Sequence, residues 1–135
     1  MLATLLLSAA VAGPELMPGW ALTTVYERDE NLILDLSPAG DLNGDGLADF
    51  LAGGTILDSA DATTPCVRVW YGDEAGVPAE PGHVLSPEQP EESIWFGWAV
   101  SGGGDLNGDG YDDLVASAPI LWLREEGWAA AWIWY

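Results

Sequence analysis

The chain has 135 residues, of which 22 are acidic and three basic, for a formal net charge of −19 at pH 7. Such a balance argues against nucleic acid and anionic membrane surfaces as partners. A single cysteine, Cys66, excludes an internal disulfide, and with one histidine no Cys/His zinc cluster can be assembled.

In chain order, Leu2–Ala12 is an apolar run ending Ala10-Val11-Ala12 before Gly13-Pro14. It resembles a secretory h-region with a small-residue cleavage site and predicts a signal peptide over 1–12, although no Lys or Arg precedes it. The competing reading is an apolar strand of a preceding unit. The run is too short to cross a bilayer, which takes about 20 residues, and no other segment qualifies. Residues 13–30 read as a linker or as a strand of that preceding unit. Short apolar strands are then predicted at Leu32–Leu36, Phe50–Ala52, Val67–Tyr71 and His83–Leu85. A second series follows at Ile94–Val100, Leu114–Ala118 and Trp128–Tyr135, the last after a turn near Glu125-Glu126-Gly127.

Between the first two strands of each series lies an acidic loop written almost identically twice: GDLNGDGLADF from Gly40 to Phe50 and GDLNGDGYDDL from Gly104 to Leu114. Oxygen-bearing side chains stand at positions 1, 3, 5 and 9, namely Asp41, Asn43, Asp45 and Asp49, then Asp105, Asn107, Asp109 and Asp113. Position 7, Leu47 or Tyr111, offers a backbone carbonyl. A hard cation such as Ca²⁺ takes about 6–8 oxygens, and a tight loop with alternate side chains turned inward supplies most of them. Gly46 and Gly110 occupy position 6, where the chain must bend sharply. Two Ca²⁺ sites are therefore expected. Position 8, Ala48 or Asp112, points away from the ion, so Asp112 is expected to matter little. An EF-hand would place a bidentate Glu at position 12, where Ala52 and Ala116 stand, and the apolar residues after each loop read as strands rather than a helix. The bland alternative, two solvated Asx-type turns, requires chance to repeat four ligand positions twice.

Asp41 and Asp105 are 64 residues apart, so the chain holds two copies of one unit and little else. A repeat of that length built from four short antiparallel strands is the pattern of a propeller blade. Propellers close with about 4–8 blades, more than this length supplies, so the sequence predicts a fragment or partial arc with the second unit ending at its third strand.

Phe96-Gly97, the Gly104–Leu114 loop and Ser117-Ala118-Pro119 together resemble an FG-GAP repeat, the calcium-loop repeat of integrin α-subunit β-propellers and of many bacterial secreted and surface proteins. Trp70-Tyr71-Gly72 followed by Gly76-Val77 is similar to the third-strand end of the bacterial versions. The first copy departs from the pattern, with Leu32-Ile33 in place of Phe-Gly and Gly53-Gly54-Thr55 in place of Ser-Ala-Pro. The resemblance implies an all-β fold of two four-stranded antiparallel blades of an FG-GAP-type β-propeller, the second incomplete, with repeat one over 31–86 and repeat two over 87–135. It further implies a secreted or cell-surface calcium-binding scaffold for adhesion or interaction, without catalysis, whose ligand is a protein or a surface glycan. Ligands in that family use loops on the face opposite the calcium loops, here Ile56–Pro65, Ser86–Ser93 and Ile120–Gly127. Self-association, or pairing with the remainder of a larger propeller, follows from the open edges.

Two competing readings are a cellulosome-type dockerin, which would need a helix after each loop, and a non-catalytic part of a larger secreted hydrolase. The eight tryptophans could suggest a carbohydrate site, but Trp128, Trp132 and Trp134 on one face, with Ala129, Ala131, Ile133 and Tyr135 on the other, read better as a strand covered on both sides. His83 reads as a strand residue, and Cys66 as a buried thiol. Arg28, Arg68 and Arg124 are too scattered to form a site.

Overall fold

The computed structural model describes residues 33–57, 63–88, 95–123 and 126–135. The expected signal peptide over 1–12 and the linker over 13–30 lie outside them. All described regular elements are strands: β1 Ile33–Gly40, β2 Asp49–Leu57, β3 Thr63–Trp70, β4 His83–Leu85, β5 Ala99–Gly102, β6 Leu114–Leu123 and β7 Glu126–Trp134. They form a four-stranded sheet in the order β1-β2-β3-β4 and a three-stranded sheet in the order β5-β6-β7, every neighbour antiparallel. This is the all-β arrangement of one full blade and one three-stranded blade that the sequence predicts. Each acidic loop runs into a strand, which removes the dockerin alternative.

Alternation along the strands places the core between the two sheets. Ala39, Leu51, Val67 and Val69 of the first sheet meet Val100, Leu114 and Ala116 of the second, together with Phe96 from the turn before β5. Because strand residues alternate sides, Cys66, Arg68 and Trp70 face the opposite way from Val67 and Val69, and all of them are buried. Phe50 stacks on Trp70 there at 4.8 Å between ring centroids. Burial pushes the Cys66 thiol up, with the Arg68 charge pulling it partly back, as befits a thiol that packs as a small apolar side chain.

Three details depart from the sequence reading. Trp95-Phe96-Gly97 is a turn, not the start of a strand, and the strand proper begins at Ala99. In their described residues, the segments Ile56–Pro65 and Ile120–Gly127 are strand rather than loop: β2 runs to Leu57 and β3 begins at Thr63, while β6 runs to Leu123 and β7 begins at Glu126. Finally, the residues of this chain cover β7 on one face. Trp132 and Trp134 pack edge-on against Phe96, with centroids 5.1 and 5.9 Å away, while Ala129, Ala131, Ile133 and Tyr135 are exposed.

The two blades interlock at the first copy's Gly53-Gly54, the place where it departs from the repeat pattern. A Cβ on Gly53 would overlap the carbonyl oxygen of Gly97, and one on Gly97 would lie 2.7 Å from the Cys66 carbonyl and 3.1 Å from the Gly54 nitrogen. Gly97 also adopts φ 77°, which a side chain disfavours. The turn thus seats its bare backbone against the centre of β2 and drives Phe96, 1% exposed, into the shared core.

Candidate metal centre

Each acidic loop closes a hairpin, the first between β1 and β2 and the second between β5 and β6. The short polar side chains fold the loop by accepting hydrogen bonds from their own backbone. In the first loop Asp41 Oδ1 accepts from Gly44 N at 2.7 Å and Asp45 N at 3.0 Å, and Oδ2 accepts from Gly46 N at 2.8 Å. Asp105 does the same for Gly108, Asp109 and Gly110 at 2.6, 3.1 and 2.9 Å. Asn43 Oδ1 and Asn107 Oδ1 accept from Asp45 N and Asp109 N. Asp45 Oδ1 and Asp109 Oδ1 accept from Leu47 N and Tyr111 N, and the two asparagine amides donate to the second oxygens of Asp45 and Asp109 at 2.9 Å. Position 6 has φ 85° at Gly46 and 96° at Gly110. The loops are one structure made twice.

The position-9 carboxylates anchor each loop to its sheet. Asp49 is 3% exposed; its Oδ2 accepts from Leu42 N at 2.8 Å and its Oδ1 from Gly72 N at 2.8 Å. Asp113 is equally buried and its Oδ2 accepts from Leu106 N, but its Oδ1 is buried without a hydrogen-bond partner. Burial, and after it the Asp49 carboxylate, push the Tyr71 phenol up. The Tyr71 hydroxyl is 3.0 Å from His83 Nδ1, which places the lone histidine in β4 against an aromatic rather than beside a nucleophile.

The structure brings each predicted set, Asp41, Asn43, Asp45, Leu47 and Asp49, then Asp105, Asn107, Asp109, Tyr111 and Asp113, into one compact loop. It does not gather the acids tightly: among the described residues no three His, Cys, Asp or Glu side chains converge as a preformed metal cluster. The donor set nevertheless fits a hard cation. An ionised carboxylate offers about four lone-pair sites, and Asp41, with three N–H donors on it, retains capacity. Two of the five donors at each loop, an amide oxygen and a backbone carbonyl, are not acids at all. The unpartnered Asp113 Oδ1 is a buried polar oxygen of the kind that requires an explanation.

One residue set aside in the sequence is placed otherwise by the structure. Asp112 does point away from its own loop, but its Oδ2 accepts from Asp41 N at 2.8 Å and its backbone N–H donates to Asp41 O at 3.0 Å. Asp35 likewise crosses between blades, its Oδ2 accepting from Val100 N at 2.8 Å. The available signal for Asp112 is the difference between copies, since position 8 of the first loop is Ala48.

Comparison with known proteins agrees with this architecture. The FG-GAP repeat family model matches residues 96–120, from the Phe96 turn through loop two into β6. Integrin alpha-PS2 of Drosophila melanogaster is 36% identical over 97 residues, covering 69% of this chain and 7% of that protein. Integrin alpha-5 of Xenopus laevis is 34% identical over 85 residues, 62% of this chain and 8% of its own length. Human integrin alpha-7 is 33% identical over 85 residues, with 63% and 7% covered. The chain thus spans less than a tenth of the length of these relatives. Among the described residues no helix is long and apolar enough to cross a membrane. The paired sheets, the duplicated loops and the match through the Phe-Gly turn place this chain in the FG-GAP repeat family.

Proposed function

We propose that the chain is a calcium-stabilised stretch of an extracellular β-propeller that acts as an adhesion or interaction scaffold rather than as an enzyme. The observation that carries this reading is the second loop's reproduction of the first, hydrogen bond for hydrogen bond over positions 1 to 7, with oxygen donors in the same five places. Asp41, Asn43, Asp45, Asp49 and the Leu47 carbonyl would hold one ion; Asp105, Asn107, Asp109, Asp113 and the Tyr111 carbonyl would hold the other. A bound Ca²⁺ would supply charge neutralisation for three carboxylates per loop. The chain's own residues would do the rest: the N–H groups of positions 4 to 6 hold the position-1 carboxylate in place, and the position-9 acid ties the loop to its sheet. The integrin α relatives, and the strong acidity, support a protein ligand at a secreted or cell-surface location.

Titration calorimetry on EDTA-stripped protein tests the reading. Two sites preferring Ca²⁺ to Mg²⁺ are expected, because a flexible oxygen-rich loop suits the larger ion. Absence of heat with Ca²⁺, together with an unchanged melting temperature, would sink it.

A further inference from the structure

Positions 7 and 8 of the second loop sit on the first loop. Tyr111 packs over Gly44, where a Cβ would overlap its ring, and a Cβ on Gly40 would overlap the Asp112 carboxylate. Gly40 has φ 71°, so both its backbone and its bareness are committed to this approach. Asp112 then holds Asp41 through both of its backbone polar groups, at 2.8 and 3.0 Å. Asp41 is the residue whose carboxylate organises the first loop through three N–H groups. Among the described residues the first loop makes no equivalent contact with the second blade: Leu47 and Ala48 lie against Gly72 of their own blade.

We propose that Asp112 is a positioning residue that couples the two metal loops, so that filling one tightens the other. The inference rests on the calcium reading above. Tyr111, whose carbonyl belongs to the second ligand set, is bonded through the chain to Asp112, and Asp112 grips the leading ligand of the first set. Ordering of the second loop therefore fixes Asp112, and a fixed Asp112 holds Asp41 where the first loop needs it. Coupling of binding free energies is reciprocal, so the effect runs equally in both directions. The position-8 acid, which stands outside the proposed ligand set, thereby carries information between blades.

The test follows Ca²⁺ titrations by NMR in the full chain, using the Gly46 and Gly110 amides as separate reporters of the two loops. Asp109→Ala, which disables loop two, is expected to weaken loop one about tenfold, within the 5–150-fold range of such couplings. Asp45→Ala should weaken loop two by a similar factor. With Asp112→Ala added, neither cross-effect should exceed about twofold, whereas Asp112→Asn, which keeps an acceptor oxygen, should retain most of the coupling. Gly40→Ala, which displaces the carboxylate without removing it, should act like Asp112→Ala and gives a second route should that variant not fold. Hydrogen exchange at the Asp41 amide reads the clamp without any ion, and it should quicken in Asp112→Ala. Two loops that bind Ca²⁺ with no cross-effect, or a cross-effect undiminished without Asp112, would overturn the proposal while leaving the calcium reading intact. No Ca²⁺ binding at either loop would overturn both.

Discussion

The two acidic loops have the same internal hydrogen bonds but different surroundings. Loop one has two supports from outside itself: Asp49 takes an N–H from Gly72 as well as from Leu42, and Asp112 pins Asp41 from the next blade. Loop two has the same interior, but Asp113 Oδ1 is unpartnered and its residues 105–111 are exposed. The lesson concerns range. Loop shape follows from local rules, short acids and amides bonding their own backbone, while the support of a loop comes from residues tens of positions away.

The comparison can be broken most forcefully at the core the blades share. Phe96→Ala removes a side chain that is 1% exposed and packed on Trp132 and Trp134. It should cost about 3–5 kcal/mol, read as a lower urea midpoint; a midpoint that does not move would mean that Phe96 does not anchor the core. Next in size is the ion itself. Calcium at 100 times its Kd should add about 2.7 kcal/mol per site, seen as a melting temperature that EDTA reverses. If only one loop responds, the identity of the two sites is refuted.

A smaller effect separates the position-9 acids. In metal-free protein, Asp49→Asn turns an amide donor toward Leu42 N or Gly72 N, both already donors, and should cost about 1–3 kcal/mol. Asp113→Asn can direct its amide to the side where Oδ1 has no partner, so chemical denaturation should show a distinctly smaller loss. Equal losses would mean that the surroundings of the two acids do not differ in the way the hydrogen bonds indicate. Smallest of all, Tyr71→Phe removes the exposed hydroxyl contact to His83 and should change stability by about 0.5 kcal/mol. A larger loss would make β4 a structural keystone of the first blade rather than a short edge strand.

Much of this was legible in the residues because it is local. The loops, the strands that follow them and the burial of Cys66 all rest on spacing and side-chain type. What was hidden depends on the neighbouring blade. Asp112 is inert when its own loop is considered alone, and its partner, Asp41, stands 71 residues away. Gly53-Gly54 looks like a degraded repeat, yet it is cut to fit the Gly97 turn of the other copy.

The seat of Gly97 on Gly53 also sets how such proteins can be recombined. A repeat boundary drawn on the sequence would part the Phe96 turn from the bare strand that receives it. Grafting the second repeat onto a foreign neighbour with a side chain at that strand position should fail, whatever the quality of its loop. The exchangeable module is the junction, running from the middle strands of one blade through the lead-in turn of the next, and chimaeras spliced to keep that junction whole are the ones that should fold.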